Sequence, residues 1–540
     1  MAAPPRVAAP GRPAGVFELL AQQAAARPDA PFLLTEGRQL SYGQVHAQAD
    51  ALAAAWHALG LEAGDRIALT LPAGPEFVVT VFAAARLGAA IVPLDPHATA
   101  PELQYLLRHS EAAAVVTAER VDDIDLLERY EAFWGRTPQL HYVVAVGEQD
   151  LWYDDRVYQF ADLVSSGAGR GCPQPPGASR ERLFAIVYTS GTQGKPKGVA
   201  LTQGNLVATA TATAALLELG PDDVVAGLTS LVHAFGLGPG LLGTAWAGGA
   251  VVLQADDDPG RTLDLLERFG VTVHHGTPTS LIRLLRHPSW PRRGLHVRTG
   301  IAAGAPLPET WAERVRRELV PDLRVAYSLT EAGSVVAMTR ADDPPGKRRQ
   351  TVGRPLPGVE VRVLDEDGAP LPVESVGEIA VRGPGVMRGY HRQPQETARS
   401  FTPDGFFRTG DVGMIDEEGY LHLLGHRQER ILRGGTCIHP REIEDRLRAH
   451  PAVLDAVVVG VPDEELGERV YACVMPVEGA VVTGEEILDF CRAGLAPAKV
   501  PDQVRFWDRF PMTGSGKVRR VELARALRAE LFGREGANRP

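Results

Sequence analysis

The chain is predicted to be an α/β protein built on parallel strands, followed by a β-rich subdomain and a smaller α+β unit. Three observations predict this. Helix-like and strand-like segments alternate from residue 16 to about residue 330, the order that builds parallel sheets. Near residue 352 the pattern changes to short runs of period-two alternation separated by Asp/Gly turns. From Gly425 strands and helices resume over roughly 110 residues, enough for a small domain with its own core.

The elements follow in order. Residues 1–15 are rich in Ala and Pro and have no apolar run after a basic start, so they read as a disordered lead-in and not a signal peptide. Ala51 to Leu59 is Ala/Leu-rich and helical, Arg66 to Leu71 a strand, Phe77 to Leu87 a helix and Ala89 to Pro93 a strand. Residues 166–180 are rich in Gly, Pro and Ser and read as a linker or exposed loop. Leu183 to Val187 is an apolar run expected to be a buried strand, with a helix from about Asn205. Thr262 to Phe269, Ser280 to Arg286 and Glu309 to Leu319 are helical, and Val271 to His275 and Val325 to Tyr327 are strands. Val359 to Leu364 and Gly377 to Val381 are strands of the β-rich part (about 352–424), with turns at Asp365 to Gly368 and Asp416 to Gly419. In the last unit Pro440 to Arg448 and Glu485 to Arg492 are helical, Leu454 to Val461 and Arg469 to Met475 are strands, and a basic helix follows Lys517.

Composition bounds the function. The 540 residues allow several domains, and 44% hydrophobic with 23% charged residues is an ordinary globular balance. A net charge of −11 leaves no general basic footprint, so neither nucleic acid nor an anionic membrane surface is expected as a partner. Cys172, Cys437, Cys473 and Cys491 have no metal-like spacing and read as free thiols of a cytoplasmic protein. The longest uncharged stretch, Gly227 to Ala255, is broken by His233, Pro239 and several glycines. It reads as a buried helix and strand and not a membrane span.

One loop carries most chemistry. Thr189-Ser190-Gly191-Thr192-Gln193-Gly194-Lys195-Pro196-Lys197-Gly198 follows the apolar strand. Glycines let backbone N–H groups close on a polyanion, hydroxyls donate and lysines supply charge, which suits phosphate. It is not a Walker loop: Gly191 and Gly194 are three apart, and Lys195 is followed by Pro196. A hydroxyl beside a carboxylate, Thr330-Glu331, ends a strand, where ligands of open α/β sheets sit; an ordinary helix N-cap would look the same. Pro511-Met512-Thr513-Gly514-Ser515-Gly516-Lys517 is a tight loop able to carry one lysine into a cleft.

The loop resembles the S-G-T-T-G-x-P-K-G signature of the adenylate-forming superfamily, which comprises acyl-CoA synthetases, beetle luciferases and peptide-synthetase adenylation domains. Tyr327-Ser328-Leu329-Thr330-Glu331 is similar to its Y-G-x-T-E motif, with Ser328 for the usual Gly. Phe407-Arg408-Thr409-Gly410-Asp411 is similar to Y-x-T-G-D, and the 511–517 loop to P-x-T-x-x-G-K. The resemblance spans about 16–530 and is closest to the AMP-forming acyl-CoA synthetases.

It implies a large N-terminal domain of two α/β lobes plus a β subdomain (16–427) and a small mobile C-terminal domain (428–540). It also implies ATP, Mg2+ and coenzyme A as cofactors. Thr189, Ser190, Gly191, Thr192, Gln193, Gly194, Lys195 and Lys197 would hold phosphate. Ala326, Tyr327 and Ser328, with the Gly304-Ala305 loop, would flank the nucleotide. Thr330 would touch the α-phosphate, Glu331 would hold magnesium and Asp411 would accept from the ribose hydroxyls.

Lys517 would bridge the carboxylate and the α-phosphate. The crossover Gly425 to Gly435 leaves His426 or Arg427 as the second ribose contact, puts Gln428 at the hinge and lines the thiol entry with Gly434 and Gly435. His233 would line the carboxylate site. The absence of an acidic residue from Gly227 to Ala255 argues against an α-amino acid. The implied reaction activates a fatty or aryl carboxylic acid to acyl-AMP and passes it to coenzyme A. A carrier-protein phosphopantetheine is the alternative acceptor, as for a stand-alone adenylation domain of a natural-product pathway.

Overall fold

Strands buried on both faces explain the continuous apolar runs of the first half of the chain. The computed structural model describes residues 15–147, 155–174, 179–189, 196–227, 230–291, 294–426, 429, 431–433, 436–463, 466–512 and 518–536. In one sheet Leu183–Thr189, Ala90–Pro93, Arg66–Thr70, Ala114–Ala118 and Tyr142–Val146 lie side by side, all parallel. Lys197–Thr202 returns antiparallel to Leu183–Thr189, and Gly389–Tyr390 pairs along its outer side.

The second sheet places Asp322–Leu329, Thr299–Ala302, Val273–His274, Val224–Ala226, Ala250–Val252 and Pro31–Leu34 in parallel order. One apolar cluster contains residues of both sheets and of the helices Val16–Ala26, Tyr42–Ala58 and Pro75–Leu87. Alanine makes the close approach possible: Ala51, Ala53, Ala54 and Ala55 are all buried on one helix.

Caps set the helix starts that propensity alone leaves vague. Ser41 and Gln44 form a reciprocal capping box, so the helix foreseen from Ala51 begins at Tyr42. Thr202 and Asn205 do the same for Gln203–Leu216. Residues 168–174 form the exposed loop expected of them, held at its start and at Cys172. Gly167 ends the helix Phe160–Gly167, and a Cβ there would lie 1.9 Å from Ala51 O. Cys172 is buried, with Arg86 donating to its carbonyl and to that of Pro173. Tertiary packing, which composition does not reveal, holds this segment down.

The uncharged stretch folds as a π-helical turn Gly236–Leu242, a helix Gly243–Ala247 and a strand Ala250–Val252, nearly all buried. Among the described residues no helix is long and apolar enough to cross a membrane.

The β-rich part is one antiparallel sheet of Glu360–Leu364, Gly377–Arg382, Phe407–Ile415 and Leu421–His426. Asp416 turns the last hairpin by accepting the N–H groups of Glu418 at 3.1 Å and Tyr420 at 2.8 Å. In the C-terminal unit, Val453–Asp463 is buried on both faces. Ala456 and Val458 pack with the helices Pro440–Arg448 and Gly484–Arg492, while Val457, Val459 and Val461 pack against Arg520–Gly536. Cys172, Cys473 and Cys491 are free and buried.

Candidate active site

The carboxyl ends of the parallel strands in the second sheet form the edge where an α/β sheet presents its ligand groups. Asp322–Leu329 runs off this edge into a single tight turn, Thr330–Ala332. Gly333, at φ +68°, closes it by donating to Thr330 O at 3.0 Å. The return strand begins at Ser334, whose φ of +115° is strained for a residue with a side chain. Its Oγ is buried without a hydrogen-bond partner among the described residues.

Neighbours lock this turn. Thr209 Oγ1 donates to Gly333 O at 2.7 Å, and Met387 N donates to Glu331 O at 2.7 Å. Asn205 Nδ2 donates to the carbonyls of Pro384 and Val386 at 2.8 and 2.9 Å. Gly385 must be glycine, because a Cβ would come within 2.5 Å of Ala332 O.

Two phenols reach two carboxylates at this edge. The Tyr390 hydroxyl donates to Glu331 Oε1 at 3.1 Å, and the Tyr327 hydroxyl donates to Asp411 Oδ2 in a short contact. Burial first, and the adjacent carboxylate second, push both phenols above their ordinary value, so both remain protonated donors at neutral pH. Tyr327 lies only three residues before Thr330, so one strand end addresses both acidic groups.

Asp411 belongs to Phe407–Ile415 and pairs directly with His426 across the hairpin. Gly410 has φ +76°, and a Cβ there would meet His426 Nε2 at 2.9 Å, so the imidazole packs on the glycine beside Asp411. Glu378 organises the approach by accepting from Arg408 Nη2 at 2.6 Å and from Gly410 N at 3.2 Å.

Thr189 and Lys197 pair at the base of the glycine-rich loop. The Lys197 ammonium contacts Glu396 and lies 4.9 Å from the centroid of the Tyr390 ring. Its ammonium is therefore engaged by protein groups. His233 is half-buried and opens the helical turn that leads to Gly236–Leu242; its carbonyl accepts from Leu237 N at 3.1 Å.

Gly304 and Ala305 are exposed just past Thr299–Ala302. Gly304 has φ +92°, while a Cβ there would meet nothing nearer than Thr277 Cγ2 at 3.8 Å, so conformation and not space calls for glycine. Ala326 is buried in an apolar cluster with Ile301, Val335 and Met338. Ser328 stands at a register shift between Asp322–Leu329 and Ser334–Met338. Ser190, Gly191, Thr192, Gln193, Gly194, Lys195, Arg427, Gln428, Gly434, Gly435 and Lys517 lie outside the described residues.

Sequence reasoning missed Tyr390, Glu378, Glu396 and Asn205. Each acts across more than 30 positions or through a backbone group, and none sits inside a recognisable string.

The residues fit the ligands the motifs imply. Among the described residues no group of three or more His, Cys, Asp or Glu side chains forms a metal cage. A single carboxylate, Glu331, suits magnesium, which takes one or two carboxylates with waters and phosphate oxygens. Asp411 and His426 offer adjacent polar groups for a vicinal diol.

Comparison with known proteins gives the same direction. The model of the AMP-binding enzyme family matches residues 20–391, and that of the AMP-binding enzyme C-terminal domain matches 442–517. A feruloyl-CoA synthase of Amycolatopsis sp is 33% identical over 92% of this chain and 96% of its own. A salicyl-AMP ligase / salicyl-S-ArCP synthetase of Mycobacterium tuberculosis is 34% identical over 90% of this chain and 85% of its own. The ATP-bound crystal structure of MatB from Rhodopseudomonas palustris superposes with a TM-score of 0.84 at 30% identity, covering 96% of this chain and 99% of that one.

Proposed function

This chain belongs to the AMP-binding enzyme family, and on that premise we propose that it activates a carboxylic acid with ATP and passes the acyl group to a thiol. The observation that carries the reading is the strand end Asp322–Leu329. It bonds Asp411 through Tyr327 and delivers Thr330 and Glu331 to the same sheet edge. A nucleotide laid across that edge meets a ribose acceptor and a metal carboxylate together.

In the first step a carboxylate oxygen attacks the α-phosphorus and the bond to pyrophosphate breaks, leaving acyl-AMP. Asp411 holds the ribose, with His426 or Arg427 as the second contact. Thr330 donates to the α-phosphate, and Thr189 to Lys195 cradle the phosphates. Lys517 offsets the repulsion between the two anions. Glu331 carries magnesium, which when bound neutralises charge on the phosphate oxygens. In the second step a thiolate sulfur attacks the acyl carbon and AMP leaves.

The large domain would run over 16–427 and the mobile one over 428–540, with Gly434 and Gly435 on the thiol path. The acid is read as aryl or arylalkyl, since feruloyl and salicyl groups name two relatives. Coenzyme A is the acceptor favoured by the first of these, and a carrier-protein thiol by the second. The buried free thiols suit a reducing cytoplasm.

The test is pyrophosphate release from ATP with a panel of aryl, fatty and short-chain acids, each with and without coenzyme A. Sustained release only with coenzyme A is the expected result. Release stopping near one turnover in either case transfers the role of acceptor to a carrier protein, and no release with any acid overturns the reading.

A further inference from the structure

We propose that Tyr390 is a positioning residue for the Glu331 carboxylate, and that the Lys197–Glu396 pair beside its ring ties that carboxylate to the base of the phosphate loop. The inference rests on the reading of Glu331 as the magnesium ligand. Four groups from three separate regions of the chain meet here. Glu331 stands on the turn after Asp322–Leu329, Tyr390 on the edge strand, Glu396 on Pro394–Arg399, and Lys197 where the loop returns to the sheet.

A carboxylate on a tight turn can rotate about its side-chain bonds. A phenol donating to one oxygen at 3.1 Å favours one orientation of that carboxylate. The phenol must itself be held. Tyr390 pairs with Val199, and its N–H donates to Thr397 Oγ1 at 2.9 Å. Gly389, at φ +147°, lets the chain pass Thr397, whose Cγ2 would lie 2.7 Å from a Cβ.

The ring is then met by the Lys197 ammonium, 4.9 Å from its centroid and charge-paired with Glu396 on the same short helix as Thr397. A cation near an aromatic ring adds electrostatic attraction that helps to hold the ring in place. Lys197 also pairs with Thr189 in register, so the loop and the metal carboxylate stand on one support.

Tyr390→Phe tests this, because it keeps the ring, its packing and the Lys197 contact and removes only the hydroxyl. Mn2+ serves as the probe, bound in the presence of α,β-methylene-ATP and read by electron paramagnetic resonance. The expected result is Mn2+ affinity about tenfold weaker in Tyr390→Phe, the scale of a hydrogen bond to a charged group. The Mg2+ concentration for half-maximal pyrophosphate release rises in parallel, and kcat recovers at saturating Mg2+. Glu396→Gln shifts the Mg2+ dependence in the same direction.

Unchanged Mn2+ affinity in Tyr390→Phe overturns the proposal, as does an activity loss that excess Mg2+ fails to restore. No shift in Glu396→Gln removes the Lys197 part of it. Glu331→Gln that binds Mn2+ as the unmodified protein does overturns the metal role of Glu331 and this inference with it. Pyrophosphate release by the unmodified protein separately decides whether acid activation itself stands.

Discussion

Asp411 is held from three sides: by the Tyr327 hydroxyl, by its own N–H donating to Thr409 Oγ1 at 3.0 Å, and by His426 across the hairpin. A carboxylate so fixed is preorganised to accept a diol, and removing its charge should act on nucleotide binding. Asp411→Asn is expected to raise the KM for ATP by roughly ten- to a hundredfold, the scale of hydrogen bonds to a charged group. Steady-state pyrophosphate release at varied ATP checks it, and an unchanged KM would remove Asp411 from the ribose site. Gly410 gives a second test at this scale. Alanine there must take φ +76° and push His426 aside, so Gly410→Ala should cost about 1–2 kcal/mol of backbone strain and weaken ATP binding. Urea unfolding and ATP titration of the same variant measure the two effects.

At the scale of elements, the C-terminal unit depends on one buried ion cluster. Glu444 in Pro440–Arg448 is 1% exposed. It accepts from Arg520 at 2.5 and 2.9 Å and from Val458 N at 2.8 Å, and lies 3.8 Å from Arg448. Arg520 begins the last helix, donates to Val458 O at 3.0 Å and reaches Glu429 at 3.2 Å, so helix, strand and crossover meet at one guanidinium. Burial alone would raise the Glu444 carboxyl, but Arg520, Arg448 and Val458 N–H hold it below its ordinary value. Truncating one partner leaves a buried charge unpaired. Arg520→Ala is therefore expected to destabilise the C-terminal unit by about 3–5 kcal/mol. Hydrogen exchange should show faster opening of Val453–Asp463 in this variant while Arg66–Thr70 is unaffected. Equal exchange in both strands would count against the cluster.

For the molecule as a whole, His274 and His275 set an acid limit. They occupy the end of a central strand, 2% and 1% exposed. Burial lowers His274 to about 4; burial, with His274 beside it, lowers His275 to about 3. His275 Nδ1 accepts Ile301 N at 3.2 Å, and neither ring of His274 and His275 can be charged without breaking this packing. The unfolded chain takes up protons below about pH 6.5 that the folded chain refuses. Stability contributed by each ring is thus complete above that pH and falls by about 1.4 kcal/mol per pH unit down toward the folded values. Urea midpoints should drop steeply between pH 6.5 and 4, and less steeply in His274→Leu. The proposed domain alternation provides the other test at this scale. Lys517→Ala should abolish adenylate formation yet largely spare thioester formation from supplied acyl-adenylate, because the proposed alternation turns the C-terminal domain away for the second step. Equal loss of both half-reactions would oppose alternation.

Local chemistry and periodicity specified much of this protein directly. Period-two alternation placed the antiparallel sheet of Glu360–Leu364 and Gly377–Arg382, and Asp416-Glu417-Glu418-Gly419 marked its turn, because both depend on neighbours in sequence. The strings around Thr330-Glu331 and Asp411 were legible for the same reason. Tertiary structure decided what those groups touch. Tyr327 reaches Asp411 across 84 positions, Tyr390 reaches Glu331 across 59, and Lys197 meets Glu396 across 199. Such contacts follow from which strands become neighbours in a sheet, and sheet order is set by burial of the whole core, which no short window of sequence contains.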